Sequence, residues 1–351
     1  MACSTRVGAW TTRLLRVGLF AEESVLFSNN APLRRGHCRC LTTSRRTQQA
    51  VESNKYGGGG APINKVTLPT LRRLKQDKMP ITMVTAVDYP SGVAVDRAGI
   101  DVCLVGDSLA MVALGYEDTS QVTLDDMIHH SKAVKRGCRR AFMVTDMPFG
   151  SYEVSPQQAV QSAIRLVKEG GAEAVKLEGG AEMAETIKAI TRVGIPVLGH
   201  VGLTPQRKAG LGGYRVQGTT GEKAVQLLQD TLALEEAGCF AVVLEAVPSL
   251  VAHVISKQVD IPTIGIGAGP GTSGQVLVMN DLLGIFDRFS PKFCKRYAEL
   301  GQITQHALSE YAAEVRQGLF PAQEHQYTIK PLEYQRFLEL IGQEEPLEAY
   351  A

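Results

Sequence analysis

"VCLVGDSL", residues 102–109, is the stretch whose reading decides the fold. Four apolar residues run into Gly106, Asp107 and Ser108, the pattern of a strand buried along its length and polar at its C-terminal tip. A lone aspartate in that place often caps the next helix. The construction recurs, however, about every thirty residues. Strands are expected at "ITMVTAV" (81–87), "VCLVGD" (102–107), "AFMVTD" (141–146), "AVKLE" (174–178), "PVLGH" (196–200), "AVVLE" (241–245), "PTIGIG" (262–267) and "VLVMND" (276–281). Helical periodicity fills the gaps, as in "TLDDMIHHSKAVKRG" and "SPQQAVQSAIRLVKEGG". Several of these segments stop at glycine, and Ser155-Pro156 is a favourable helix start.

Strands alternating with helices predict a parallel sheet covered by helices. Eight strands are the number that closes a (β/α)8 TIM barrel. The rival is an open doubly wound sheet, which would carry a glycine-rich turn after its first strand. Residues 86–91, "AVDYPS", are not such a turn. "LPTLRRLKQDK" (68–78) is expected to be a helix over the barrel floor. A glycine-rich interruption, "VGLTPQRKAGLGGYRVQG" (201–218), follows the fifth strand, where such loops are often functional.

In a barrel the C-terminal strand ends form one face, which carries the active site. The expected strands bring Asp107, Asp146, Lys176, Glu178, His200, Glu245 and Asp281 to that face, Asp281 as the tip of the eighth strand. So many ionisable groups in one place are costly unless paired, hydrated or bound to a ligand. Asp107, Asp146 and Glu178 come from neighbouring strands, and an all-oxygen donor set suits a hard cation, Mg2+ foremost. Lys176 and Glu178 are two apart and share one side of their strand. Glu245 is expected across the barrel from the carboxylates, in place for a base acting on a carbon acid. "GIGAGPG" (265–271) reads either as a phosphate cradle or as close backbone packing. His129 and His130 read as surface or packing residues.

The chain has 351 residues, 44% of them apolar, and a formal net charge of +1. No basic stripe marks the body as a partner of nucleic acid or of a membrane surface. No apolar run is long enough to cross a bilayer. Charge is nevertheless segregated. Residues 1–50 hold eight arginines, no lysine, and only Glu22 and Glu23 as acids, a net of +6 that leaves −5 for the remainder. An arginine-rich, acid-poor start is the composition of a mitochondrial transit peptide or of a basic tail. "KYGGGGAP" lies within residues 51–64, which read as a flexible linker. A barrel over 65–328 and an acidic extension over 329–351 complete the division. Seven cysteines without CxxC spacing suggest reduced, mostly buried thiols rather than zinc or redox sites.

The motifs resemble the ketopantoate hydroxymethyltransferase (3-methyl-2-oxobutanoate hydroxymethyltransferase) family. The carriers are "VGDSL" (105–109), "DMPFGSY" (146–152), "VKLEGG" (175–180), "GHVGLTPQ" (199–206), "GGYRVQG" (212–218), "LEAVP" (244–248) and "IGIGAG" (264–269), in the family's order. The resemblance implies a (β/α)8 barrel of the phosphoenolpyruvate/pyruvate type and a homo-oligomer, decameric in characterised relatives. The implied reaction moves a one-carbon unit from 5,10-methylenetetrahydrofolate to 3-methyl-2-oxobutanoate through a Mg2+-stabilised enolate, giving 2-dehydropantoate for pantothenate synthesis. By motif position, Asp107, Asp146 and Glu178 match the metal ligands. Asp107, Ser108, Asp146 and Lys176 match the keto-acid contacts, and Glu245 the proton acceptor. His200 and the "GLTPQ" loop are expected to position the incoming one-carbon unit. Two alternatives remain on the same barrel: a Mg2+-dependent 2-oxo acid lyase or mutase, and a non-catalytic binder of phosphorylated ligands.

Overall fold

A computed structural model describes residues 64–289 and 291–343. The expected arginine-rich segment 1–50, nearly all of the linker 51–64, and Glu344, Glu345 and Glu348 of the acidic extension lie outside the described residues.

Eight parallel strands close into a barrel in sequence order. They are β1 (Ile81–Thr85), β2 (Val102–Val105), β3 (Phe142–Asp146), β4 (Ala174–Lys176), β5 (Val197–Gly202), β6 (Ala241–Glu245), β7 (Thr263–Ile266) and β8 (Gly274–Leu277). Pairing of Ile81 with Gly274 and of Met83 with Val276 shuts the cylinder. β2 to β7 are buried on both faces along nearly their whole length, which is why they read as apolar runs rather than alternations, while β1 and β8 each expose one residue, Thr82 and Gln275.

The period of two divides each strand between two cores. Met83, Val102, Leu104, Phe142, Val144, Ala174, Leu198, Val243, Ile264 and Val276 fill the barrel interior. Cys103, Val105, Met143, Val175, Val197, Val242 and Leu244 face outward and pack with the surrounding helices. Helix α1 (Leu68–Gln76) sets Leu71 against the interior cluster, with Leu68 and Leu74 beside it. Its Lys75 donates to the carbonyls of Val259 and Ile261 at 2.8 and 2.5 Å, just before β7 begins. The expected floor helix is therefore present, at the N-terminal end of the strands.

The remaining helices are α2 (Tyr89–Arg97), α3 (Leu109–Val112), α4 (Leu124–Gly137), α5 (Pro156–Lys168), α6 (Ala184–Arg192), α7 (Lys208–Leu211), α8 (Gly221–Glu236), α9 (Ser249–Gln258), α10 (Met279–Leu282), α11 (Leu300–Gln317) and α12 (Pro331–Ile341). The α5 start follows the expected chemistry, with Ser155 Oγ accepting from the Gln158 N–H at 3.2 Å and proline in the first turn. No described helix is long and apolar enough to cross a membrane.

One expectation at the strand ends needs correction. The eighth strand begins at Gly274, two residues before the expected run, and stops at Leu277. Asp281 thus belongs to α10 and not to a strand tip. Gly274 accounts for the early start. A Cβ there would lie 2.4 Å from the Ile81 carbonyl oxygen, so a residue of low strand propensity supplies the closest approach in the closing seam. "GIGAGPG" is likewise a packing element, because a Cβ on Gly269 would sit 2.4 Å from the Ser249 Cβ at the start of α9. His129 and His130 lie on α4, and His130 Nδ1 contacts the Val87 carbonyl at 2.5 Å. Cys103, Cys138 and Cys239 are buried free thiols, and Cys294 is partly exposed.

Candidate active site

Asp146 continues the inward parity of Phe142 and Val144, Lys176 that of Ala174, His200 that of Leu198, and Glu245 that of Val243. The top layer of the barrel interior is therefore charged where the layers below are aliphatic. All four line one cavity of about 360 Å3, together with Asp107, Ser108 and Glu178. A volume of that size suits a small metabolite held among a few convergent polar groups.

The polar groups form a continuous ring. Asp146 pairs in register with Lys176, and its Oδ1 lies 3.0 Å from the Lys176 Nζ. Its Oδ2 accepts from the Asp107 N–H at 3.0 Å, two residues beyond the end of β2. Lys176 Nζ is 3.4 Å from His200 Nδ1, and Glu178 Oε1 is 3.5 Å from the same nitrogen. His200 Nε2 lies 3.2 Å from Glu245 Oε2. Glu245, expected across the barrel from the carboxylates, is separated from Glu178 by one imidazole.

Burial sets the protonation of this ring. Desolvation raises the Asp146 carboxyl to about 7, with Lys176 opposing the rise and Asp107 adding to it. Glu178 is pushed well above the usual carboxylate range, first by burial and then by the Asp107 charge. Burial pulls Lys176 down, but Asp146, Glu178 and Asp107 outweigh it and hold the ammonium above its ordinary value. His200 is lowered by burial and by Lys176 against the pull of Glu245. The shift favours the neutral imidazole, whose Nε2 edge is turned to Glu245 and whose Nδ1 edge is turned to Lys176 and Glu178.

The backbone at β6 is shaped for this placement. Gly202 pairs with Glu245, and a Cβ on Gly202 would lie 2.3 Å from the Glu245 carbonyl oxygen. Ala246 takes φ +49°, a left-handed conformation that costs roughly 1–2 kcal/mol for a residue with a Cβ. Hydrogen bonds on both sides hold it there: its N–H donates to Ile266 at 2.8 Å, and its carbonyl accepts from the Gln217 N–H at 2.9 Å. The bend lets Glu245 end the strand facing the cavity while the loop after β5 crosses the mouth.

Two buried residues at the ring have contacts the sequence does not single out: Gln206 is expected only as part of the "GLTPQ" loop, and Tyr152 has no expected role. Gln206, in "GHVGLTPQ", contacts both Asp107 and Glu178, and Tyr152, in "DMPFGSY", contacts Gln206. Their motifs were visible, but nothing in a lone sequence ties a glutamine to an aspartate ninety-nine positions away. The cavity mouth adds Leu203, Tyr214, Val216, Phe286, Phe289 and Phe293, an apolar wall over the charged floor. Ser108 lines the cavity at the start of α3, and its side chain makes no capping bond.

Residues 65–323 match the sequence model of ketopantoate hydroxymethyltransferase. The chain belongs to the ketopantoate hydroxymethyltransferase family. Family members named 3-methyl-2-oxobutanoate hydroxymethyltransferase include one from Emericella nidulans, 50% identical over 322 residues, which are 91% of this chain and 90% of that relative. Another, from Moorella thermoacetica, is 56% identical over 267 residues, or 76% of this chain and 99% of the relative. Among solved structures, phosphonopyruvate hydrolase in complex with oxalate and Mg2+ superposes with a TM-score of 0.50 at 13% identity, covering 78% of this chain and 98% of that one. At that identity the likeness concerns the fold alone, a closed (β/α)8 barrel. Membership of the ketopantoate hydroxymethyltransferase family makes the chain an enzyme and sets aside the lyase and non-catalytic alternatives.

A divalent cation suits the donors in chemistry: they are oxygen only, and two of the carboxyls are buried with their ionisation suppressed. Asp146 Oδ1 has no well-aligned hydrogen-bond donor. Among the described residues, no three carboxylate, histidine or cysteine groups yet converge as a cage. Asp107 Oδ2 instead faces Gln206, and Asp146 Oδ1 faces Lys176.

Proposed function

We propose that this chain transfers a one-carbon unit from 5,10-methylenetetrahydrofolate to 3-methyl-2-oxobutanoate, giving 2-dehydropantoate for pantothenate synthesis. The observation that carries the reading is the buried cluster of Lys176, three carboxylates and His200, with partly exposed Glu245 beside it, under an aromatic mouth. Asp107, Asp146 and Glu178 would hold Mg2+, which supplies positive charge next to the keto acid's oxygens. Lys176 adds a fixed ammonium that strengthens as electron density moves from carbon to oxygen. Ser108 and Asp107 orient the carboxylate end. Glu245 takes the proton from the third carbon of the keto acid, and His200, its Nε2 beside that carboxylate, helps with the "GLTPQ" loop to position the incoming one-carbon unit. The carbon so exposed faces the mouth, where Tyr214, Phe286, Phe289 and Phe293 offer flat apolar surface for a pterin. The test is an assay of the full chain with 3-methyl-2-oxobutanoate, Mg2+ and methylenetetrahydrofolate, followed by mass detection of 2-dehydropantoate. Absence of that product would end the proposal.

The metal assignment has its own check. Asp146→Asn is expected to weaken Mg2+ binding and activity together, by at least about tenfold, since even residues behind metal ligands cost that much. Calorimetry that finds Mg2+ affinity unaltered would remove Asp146 from the ligand set.

A homo-oligomer, decameric as in characterised relatives, is part of the same proposal. Helix α11 has no buried residue, and Ile303, Leu308 and Tyr311 stand exposed along it. Leu332 and Leu340 on α12 are 80% and 74% exposed. Apolar side chains at that density on two helices are what a second copy of this chain would cover.

Mitochondrial import is supported by the arginine-rich, acid-poor first fifty residues. A fluorescent reporter fused behind residues 1–50 is expected to colocalise with mitochondria in a eukaryotic cell, and diffuse cytosolic signal would overturn that assignment.

A further inference from the structure

We infer that Gln206 is the positioning residue that sets the attitude of Asp107 and Glu178, with Tyr152 fixing which way its amide points. Gln206 is 7% exposed and Tyr152 1%. The Gln206 Nε2 group donates to Asp107 Oδ2 at 2.8 Å and to the Met147 carbonyl at 3.0 Å. Its Oε1 accepts from the Tyr152 hydroxyl at 2.6 Å. Its backbone N–H donates to Glu178 Oε2 at 3.1 Å. The Glu178 N–H in turn donates to the Tyr152 hydroxyl oxygen at 3.3 Å.

Every bond in this loop has a required direction. Tyr152 accepts from the Glu178 N–H and has one proton to give, and the Gln206 oxygen at 2.6 Å is a much nearer acceptor than the Glu178 carbonyl at 3.5 Å. The amide nitrogen is then left with its two hydrogens for two acceptors, Asp107 and Met147. A flipped amide would set its oxygen against the Asp107 and Met147 oxygens and leave the phenol only the Glu178 carbonyl at 3.5 Å, in a site too buried for water to repair the loss. One residue on the loop after β5 therefore reaches two carboxylates that lie just beyond β2 and β4, Asp107 through its side chain and Glu178 through its backbone N–H. Both strands pair with β3, so the ladders place the strands, and Gln206 acts on the carboxylates that follow them.

The inference relies on the proposed function only in taking Asp107 and Glu178 as working carboxylates. Outer residues that orient metal ligands typically change metal affinity by roughly 10–100-fold when lost. Gln206→Leu keeps the volume and removes all the side-chain bonds. Tyr152→Phe keeps the packing and removes only the hydroxyl that sets the amide, so it tests the same chain if the leucine variant folds poorly. Titration of the full-length protein with Mg2+ in the presence of the keto acid should show affinity falling by roughly tenfold to a hundredfold in Gln206→Leu. Tyr152→Phe should lie between it and wild type. The double variant should bind no more weakly than Gln206→Leu alone, because both act through one amide. A purely structural role would instead lower the melting midpoint while folded protein kept wild-type affinity, and that result overturns the inference. A wild-type protein that binds no Mg2+ would count against the proposed metal, not against Gln206. Crystal structures of Gln206→Leu then decide: Asp107, which loses its side-chain donor, is expected to turn from its present orientation, and an Asp107 left where it is would refute the positioning role.

Discussion

Replacing Glu245 by glutamine is expected to slow proton removal from the third carbon of the keto acid by roughly a hundred- to ten-thousandfold, the usual share of a positioned general base. Binding of Mg2+ and of the keto acid should stay largely intact. The surroundings of Glu245 explain the separation of the two effects. Its carboxylate touches His200 Nε2 at 3.2 Å and stands one imidazole away from Glu178. A glutamine keeps the shape and the packing beside that nitrogen. What it loses is the ability to take a proton. Deuterium exchange into the substrate, followed by NMR without folate, sees this step alone. If exchange ran at wild-type speed, Glu245 would be no base, and a joint fall in binding and rate would reduce it to a brace for His200.

The second large effect is expected at Lys176. Its ammonium lies 3.0 Å from Asp146, and the charges of Glu178 and Asp107 also act on it. All four groups are buried. Lys176→Met keeps the length of the stem and removes the only buried cation that an ion pair joins to this ring in the described residues. Removing one partner from a buried ion pair typically costs on the order of 3–5 kcal/mol, because the other charge stays behind uncompensated. Here three carboxylates stay behind. The same substitution removes charge that the developing enolate needs, a loss of roughly a hundred- to a thousandfold in rate by analogy with oxyanion donors. Chemical denaturation in the absence of Mg2+ reads the first effect and deuterium exchange reads the second. Unchanged stability would mean that the carboxylates are already protonated in the folded protein, and unchanged exchange would take Lys176 out of the chemistry.

Much of this molecule was legible without coordinates. Strands buried on both faces leave continuous apolar runs, and eight such runs separated by helical segments admit few architectures. The period of two then carries the argument one step further. Once Val144 is known to face inward, Asp146 must face inward as well, and the same holds for Lys176 after Ala174 and for Glu245 after Val243. The polar strand tips were therefore a site before any distance was measured. The run "VLVMND" misled because its apolar letters suit a strand or a helical turn equally. Gly274, which begins β8, has no strand propensity and owes its place to the close approach of Ile81.

What the tertiary structure alone decided is how those tips meet. Register sets Asp146 beside Lys176, while His200 joins Glu178 to Glu245 across β5. Gln206 reaches Asp107 over ninety-nine residues of chain. Such contacts depend on barrel closure and on the path of one loop, and their energies are those of buried polar groups that must find partners after the chain has collapsed. Local pattern encodes which side of a strand a residue faces, because alternation is a property of neighbouring peptide units. It does not encode which distant donor will meet a given carboxylate, because that pairing is settled by closure and packing of the whole barrel.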